Sequence, residues 1–116
     1  MMDGPNAKHY ATLILDPEGS KNLILPSICL QEVFRISLRE QGAEKADNVA
    51  GFMKSRAAVV AHDAALALEA AALGHRYKLA LADSIVYATA IAFRAKLWTQ
   101  DSAFEGLPGV EFKSKF

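Results

Sequence analysis

The chain of 116 residues has one cysteine, Cys29, which excludes an intrachain disulfide and any zinc site built from several thiolates. That scarcity suits a reducing cytoplasm. The longest nearly apolar run, Ile85 to Phe93, is about half of the roughly 18 residues a membrane span needs, and the opening Met-Met-Asp-Gly-Pro-Asn has no signal-peptide apolar stretch. No membrane contact is expected. Net charge is absent too: thirteen Lys+Arg balance thirteen Asp+Glu, so a nucleic-acid contact has to come from local patches rather than from an overall basic field. There is no Gly-rich phosphate loop, no His-Glu-x-x-His helix and no Gly-x-Ser-x-Gly elbow, and His9, His62 and His75 are scattered. What is there is a composition that folds. Hydrophobic residues at 52% and charged residues at 22% suit a soluble globular chain, and the length suits one domain over residues 1–116.

Turn chemistry at Gly4-Pro5 and Asp16-Pro17-Glu18-Gly19-Ser20 brackets a segment, Ala7 to Leu15, of helical or mixed character. Asn22 to Leu25 reads as a short buried strand ending at Pro26, with Ser27 as cap of a helix over 28–40. On that helix Leu30, Val33, Phe34 and Ser37 share one stripe, while Glu32, Arg35 and Arg39 fall on another side. Ala43 to Ser55 has the pattern of an exposed amphipathic helix. Ala57 to Ala61 is a second strand, and Asp63 is placed to cap a helix ending near Gly74. From Ser84 to Lys96 the chain is apolar nearly all round, as a helix buried on several sides must be. Leu97-Trp98-Thr99 is a third strand and Val110-Glu111-Phe112 an edge strand. Helices alternating with short apolar strands predict a parallel sheet covered by helices.

The candidates for chemistry are acidic: Glu32 on the first clear helix, Asp83 at the entrance to the buried helix, and Asp101 just after a strand. In an open parallel sheet, ligands bind outside the carboxyl ends of the strands, where residues distant in sequence can meet. Carboxylates that converge repel unless a cation compensates, and hard oxygen ligands without histidine suit Mg²⁺ or Mn²⁺. Such an ion activates water and stabilises charge on phosphate, which makes a phosphodiester the natural substrate. Each acid also has a plain structural role open to it. Glu32 can pair with Arg35 at i+3, Asp83 can be an N-cap, and Asp101 can be a turn residue. Trp98 and Phe104 read as core or interface rather than as a base-stacking platform.

The stretch Leu81-Ala82-Asp83-Ser84-Ile85-Val86-Tyr87-Ala88-Thr89-Ala90, followed by Leu97-Trp98-Thr99-Gln100-Asp101-Ser102-Ala103-Phe104, resembles the C-terminal signature of PIN-domain proteins, and of VapC-type toxins among them. Leu25-Pro26-Ser27-Ile28-Cys29-Leu30-Gln31-Glu32-Val33-Phe34 is similar to the family's strand-to-helix segment bearing the second acid, and Ala64 to Ala71 continues the likeness. The resemblance implies a three-layer α/β/α sandwich with a mostly parallel sheet, an acidic cluster for Mg²⁺ or Mn²⁺, and endoribonuclease activity, often on transfer RNA. By matching position, Glu32, Asp83 and Asp101 are the second, third and fourth acids, and Thr99 is the supporting hydroxyl. A homodimer and a cognate antitoxin are implied as well.

The departures are at the start and at Ala103, where many relatives carry a polar or acidic residue. The family's opening strand, central in the sheet and ending in the first acid, has no counterpart here. Leu13-Ile14-Leu15-Asp16 mimics one, but Asp16 precedes Glu32 by only sixteen positions and Pro17 follows at once. A central gap in a parallel sheet is expected to be filled by another segment, closed up, or marked by lost order or stability, the last being favoured. The leading expectation is a metal-dependent ribonuclease toxin whose Glu32, Asp83 and Asp101 converge on one cleft, with Arg35, Arg39, Arg94 and Lys96 contacting RNA phosphates. The rivals are an inactive remnant that binds antitoxin or RNA without cutting, and a small-molecule enzyme on a generic α/β sheet.

Overall fold

A computed structural model describes residues 13–15 and 23–113. In chain order its elements are β1 (Leu13–Leu15), β2 (Leu23–Pro26), α1 (Ser27–Gln41), α2 (Ala43–Arg56), β3 (Ala57–Val60), α3 (Ala64–Tyr77), α4 (Leu81–Ala92), β4 (Lys96–Thr99), a 3-10 turn (Ser102–Phe104) and β5 (Val110–Phe112). The sheet order is β3-β2-β1-β4-β5. Helices flank it as two packed pairs, α1 with α2 and α3 with α4, in α/β/α fashion.

The parallel pairing expected from helix–strand alternation holds for β2 with β3 and for β4 with β5. The centre differs. Leu13–Leu15 lies between the two parallel pairs and runs against both neighbours, with Ile14 opposite Ile24 on one side and Leu97 on the other. Only seven residues separate Leu15 from Leu23, too few for the crossover of a dozen or more that a parallel neighbour requires, so this segment enters as a hairpin partner. The gap anticipated at the centre is thus occupied by the chain's own residues, and the strand character of 13–15 replaces the helical or mixed reading of that part of 7–15. Asp16, like residues 7–12, lies outside the described residues.

Because β1 is antiparallel to both β2 and β4, those two strands run the same way. All four outer strands therefore direct their carboxyl ends to one edge of the sheet. The main core joins sheet to helices there and below it: Ile24 and Leu97 from the strands, Cys29 from α1, Val86, Tyr87 and Ala90 from α4, and Phe104 from the 3-10 turn. Tyr87 donates from its hydroxyl to the Pro108 carbonyl at 2.7 Å, which ties the β4–β5 connection to α4. A second cluster, Leu66 and Ala70 against Ile85 and Ala88, packs α3 on α4. Gly74 is what lets these helices approach: a Cβ built there would sit 3.0 Å from the Ser84 Cβ.

Local signals fared unevenly. Asp63 caps α3 as read, its Oδ1 accepting from the Leu66 N–H at 2.9 Å. The helix runs on past Gly74 to Tyr77 and closes through Lys78 at φ 60°. Ser27 is the first residue of α1 rather than its cap, since Pro26 holds the cap position and no side-chain cap bond forms.

Candidate functional site

Glu32 lies in the second turn of α1, which starts directly from the carboxyl end of β2. The helix buries Cys29, Val33, Ile36 and Ser37, a stripe rotated from the 30-33-34-37 face expected. The rotation follows from the core it meets, since Cys29 packs with Ile24, Val86 and Tyr87. As a result Glu32 stands half-buried at the border of the stripe, while Arg35 and Arg39 are exposed. The ion pairs between described residues are Arg39 with Glu40 and Lys96 with Glu111, so the simple Glu32–Arg35 pair is not among them.

Asp83 is in the first turn of α4 but is no cap, because Ala80 occupies that position and its side chain makes no cap bond. It is buried, with 2% of its surface exposed, a placement rare for an aspartate that has only local work to do. Three residues, 93–95, join α4 to β4, so the helix runs back antiparallel to the strand and brings its first turn to the carboxyl edge. Cys29 is near enough to both acids to feel their charge. Burial first, then the negative charge of Glu32, then that of Asp83, push its thiol from 9.0 up to about 12. Both carboxylates therefore act on one sulfur, which stays protonated and poorly suited to metal or redox chemistry at neutral pH.

Asp101 follows β4 at the same edge and combines two roles. Its Oδ1 accepts from the Ala103 N–H at 3.0 Å, starting the turn that buries Phe104, while its backbone N–H donates to Thr99 Oγ1 at 3.0 Å. Thr99 is itself buried, so the hydroxyl expected to support the fourth acid holds that acid's backbone. One oxygen of each carboxylate, Glu32 Oε1, Asp83 Oδ1 and Asp101 Oδ2, is buried from solvent. The three acids come to one edge although 51 and 18 positions separate them in sequence.

The donor chemistry of these three carboxylates suits a hard divalent cation, and His62 and His75 are exposed. The spacing is a separate matter. Among the described residues, no group of three or more His, Cys, Asp or Glu is close enough to hold a metal ion. These residues by themselves do not compose a finished metal centre.

Arg94 and Lys96 are placed differently from Arg35 and Arg39. They lie at the other end of α4 and the start of β4, and Arg94 is about 16 Å from Asp83 along the helix, at 1.5 Å per residue. Two residues with a bearing on the site escaped the sequence reading. In the sequence Cys29 bears only on disulfides and thiolate zinc sites, although its i, i+3 spacing to Glu32 puts both on one helix face. Of the two residues read as core or interface, Phe104 is buried in the core, and Trp98 keeps 41% of its surface and is not.

The PIN-domain profile matches residues 2–110, nearly the whole chain. The chain belongs to the PIN-domain family. PIN domains are generally nucleases and typically use divalent metal ions. Among solved structures the fold is similar to a chain of a toxin–antitoxin complex from Klebsiella pneumoniae, with 26% identity and a TM-score of 0.66 over 78% of this chain and 73% of that one. No curated protein is similar to the chain at a significant level. Among the described residues, no helix is long and apolar enough to cross a membrane.

Proposed function

We propose that this chain is a single-domain, VapC-like endoribonuclease toxin of a toxin–antitoxin pair, acting in the cytoplasm on RNA phosphodiesters with Mg²⁺ or Mn²⁺. Glu32, Asp83 and Asp101 are the residues that would hold the ion, and Thr99 fixes the backbone beside Asp101. Arg35 and Arg39, exposed on the flank of α1, meet RNA phosphates near the acids, and Arg94 and Lys96 do so farther along the strand. A cognate antitoxin and a second copy of the chain are its partners. The observation that carries this reading is the gathering of three sequence-distant acids, each with a buried oxygen, at the carboxyl edge of a PIN-family sheet. The toxin–antitoxin setting is supported by the Klebsiella pneumoniae neighbour.

A second reading, a PIN fold that binds antitoxin or RNA without cutting, is favoured by one specific observation: the described acids do not close into a three-ligand group. Incubating the chain with transfer RNA in Mg²⁺, in Mn²⁺ and in EDTA separates the two. Metal-dependent fragments that vanish in Asp83→Asn support the nuclease. Binding of RNA with no fragments under any condition supports the silent binder instead.

A further inference from the structure

The sheet edge remote from the acids has a chemistry of its own. A cavity of about 490 Å³ opens between the last turn of α4 and the start of β4, with Ala90, Ile91 and Ala95 in its wall and Arg94 and Lys96 as its cations. Arg94 is exposed and stands at φ 52°, the left-handed conformation that glycine adopts more easily than any residue with a Cβ. Its N–H donates to the Ile91 carbonyl at 3.1 Å and that of Ala95 to the Ala90 carbonyl at 2.8 Å, the helix-ending turn in which glycine is usual. Lys78 closes α3 in the same conformation, so strain alone assigns nothing; the cavity beside Arg94 is what sets it apart.

Along β4 exposure alternates, with Lys96 and Trp98 outward and Leu97 and Thr99 buried. The two outward residues are thus neighbours on one face, about 6.6 Å apart along the strand. Opposite Trp98 in β5 is Glu111, whose carboxylate lies 3.2 Å from Lys96 Nζ. Exposed Lys113 extends the ladder by one bond, its N–H donating to the Thr99 carbonyl at 3.0 Å, which carries the alternation on from Glu111. The face of the exposed indole then carries two cations, Lys96 and Lys113, and one acid, Glu111, and Lys96 also lines the cavity that holds Arg94.

A flat aromatic face flanked by cations suits a single nucleic-acid strand, since any base can stack while guanidinium and ammonium groups meet phosphates. An acidic peptide would answer the cations but leave the indole without a planar partner, and inorganic phosphate would use neither the indole nor the apolar wall. We propose that the Trp98 face and the Arg94–Lys96 cavity, joined through Lys96, form a docking site for single-stranded RNA that runs from the amino end of β4 toward the acid edge. The site rests on the reading of this chain as an RNA-directed protein, and it holds nucleotides flanking those that reach the acids.

Trp98 is the only tryptophan, so its emission reports this site alone. The full chain is titrated in EDTA with an oligouridylate of about eight nucleotides, a length within the usual span of one single-strand site. The site predicts quenching of Trp98. Arg94→Gly, which the local φ favours, weakens binding about tenfold and lowers the salt slope by about one. Trp98→Ala, followed on labelled RNA, weakens it about fivefold or more, whereas Trp98→Phe restores most of the affinity. RNA binding with unchanged Trp98 emission overturns the site, as does quenching by an oligoglutamate peptide but not by RNA. Metal-dependent cleavage without quenching overturns the docking site and leaves the nuclease reading intact. Quenching without cleavage in Mg²⁺ supports the docking site and counts only against the nuclease.

Discussion

Two regions of the sheet are built in opposite ways. At the carboxyl edge, acids from α1, α4 and the turn after β4 come to one side of the sheet across long sequence separations, and one oxygen of each is taken out of water. Before and along β4, Arg94, Lys96 and Trp98 lie within five consecutive residues and remain exposed. A site assembled from distant parts depends on the whole fold for its geometry, and burial strengthens every electrostatic effect within it. A patch assembled from neighbours needs only a local turn and a strand. The first is expected to be sensitive to single changes and the second tolerant, which is how the comparison can be broken.

The largest effect is expected at Asp83. Asp83→Asn should lower RNA cleavage by about a hundredfold or more, the loss of several kcal/mol of charge stabilisation, while circular dichroism shows an unchanged fold. Cleavage within twofold of the parent would remove Asp83 from the site. Next comes the Cys29 thiol near the acids. The folded chain keeps the Cys29 proton up to about 12, whereas the unfolded chain releases it near 9.0. The stability this confers is whole below pH 9 and is lost as pH rises toward 12, by about 1.4 kcal/mol per pH unit. Urea titrations of Cys29→Ala should therefore show a shallower alkaline decline than the parent, and identical declines would mean that burial and the two acids do not hold the thiol protonated in the folded chain.

Gly74→Ala tests how tightly the acid edge is held. The added methyl meets Ser84 next to Asp83, and overpacking should outweigh the gain in helix propensity, leaving a net cost of about 1 kcal/mol in chemical denaturation. A stabilised variant would show that the α3–α4 contact has slack. The smallest effect is expected at the exposed patch: Lys96→Met, which breaks the pair with half-exposed Glu111, should change stability by about 0.5 kcal/mol or less. A loss above that range would mean that the patch is as cooperative as the acid edge.

The same contrast explains what could be read from sequence. The strands at Leu23–Pro26 and Ala57–Val60, the Asp63 cap and the buried α4 were legible because each is encoded within a few residues. The acid edge became legible only through the order of family motifs, since no local rule links Glu32 to Asp83. What was missed depends on tertiary choice. The direction of Leu13–Leu15 was set by the short distance to its partner strand, not by its own apolar character, which fits either direction. The face of α1 shifted because Cys29 found a place among Ile24, Val86 and Tyr87. Trp98, read as core or interface, sits on the outward parity of a strand whose other side is filled by Leu97 and Thr99 and so is not core.

The central claim is that the acids at the carboxyl edge act together on one cation. Cys29 is within reach of the charge of two of them and is the only cysteine, so its β-protons in a selectively labelled chain give a single reporter by nuclear magnetic resonance. Titration with Mn²⁺ at neutral pH should broaden that signal, and Asp83→Asn and Glu32→Gln should each require severalfold more Mn²⁺ for the same effect. A Cys29 signal that stays sharp at Mn²⁺ levels supporting RNA cleavage, or broadening untouched by either substitution, would place the cation elsewhere and contradict the account.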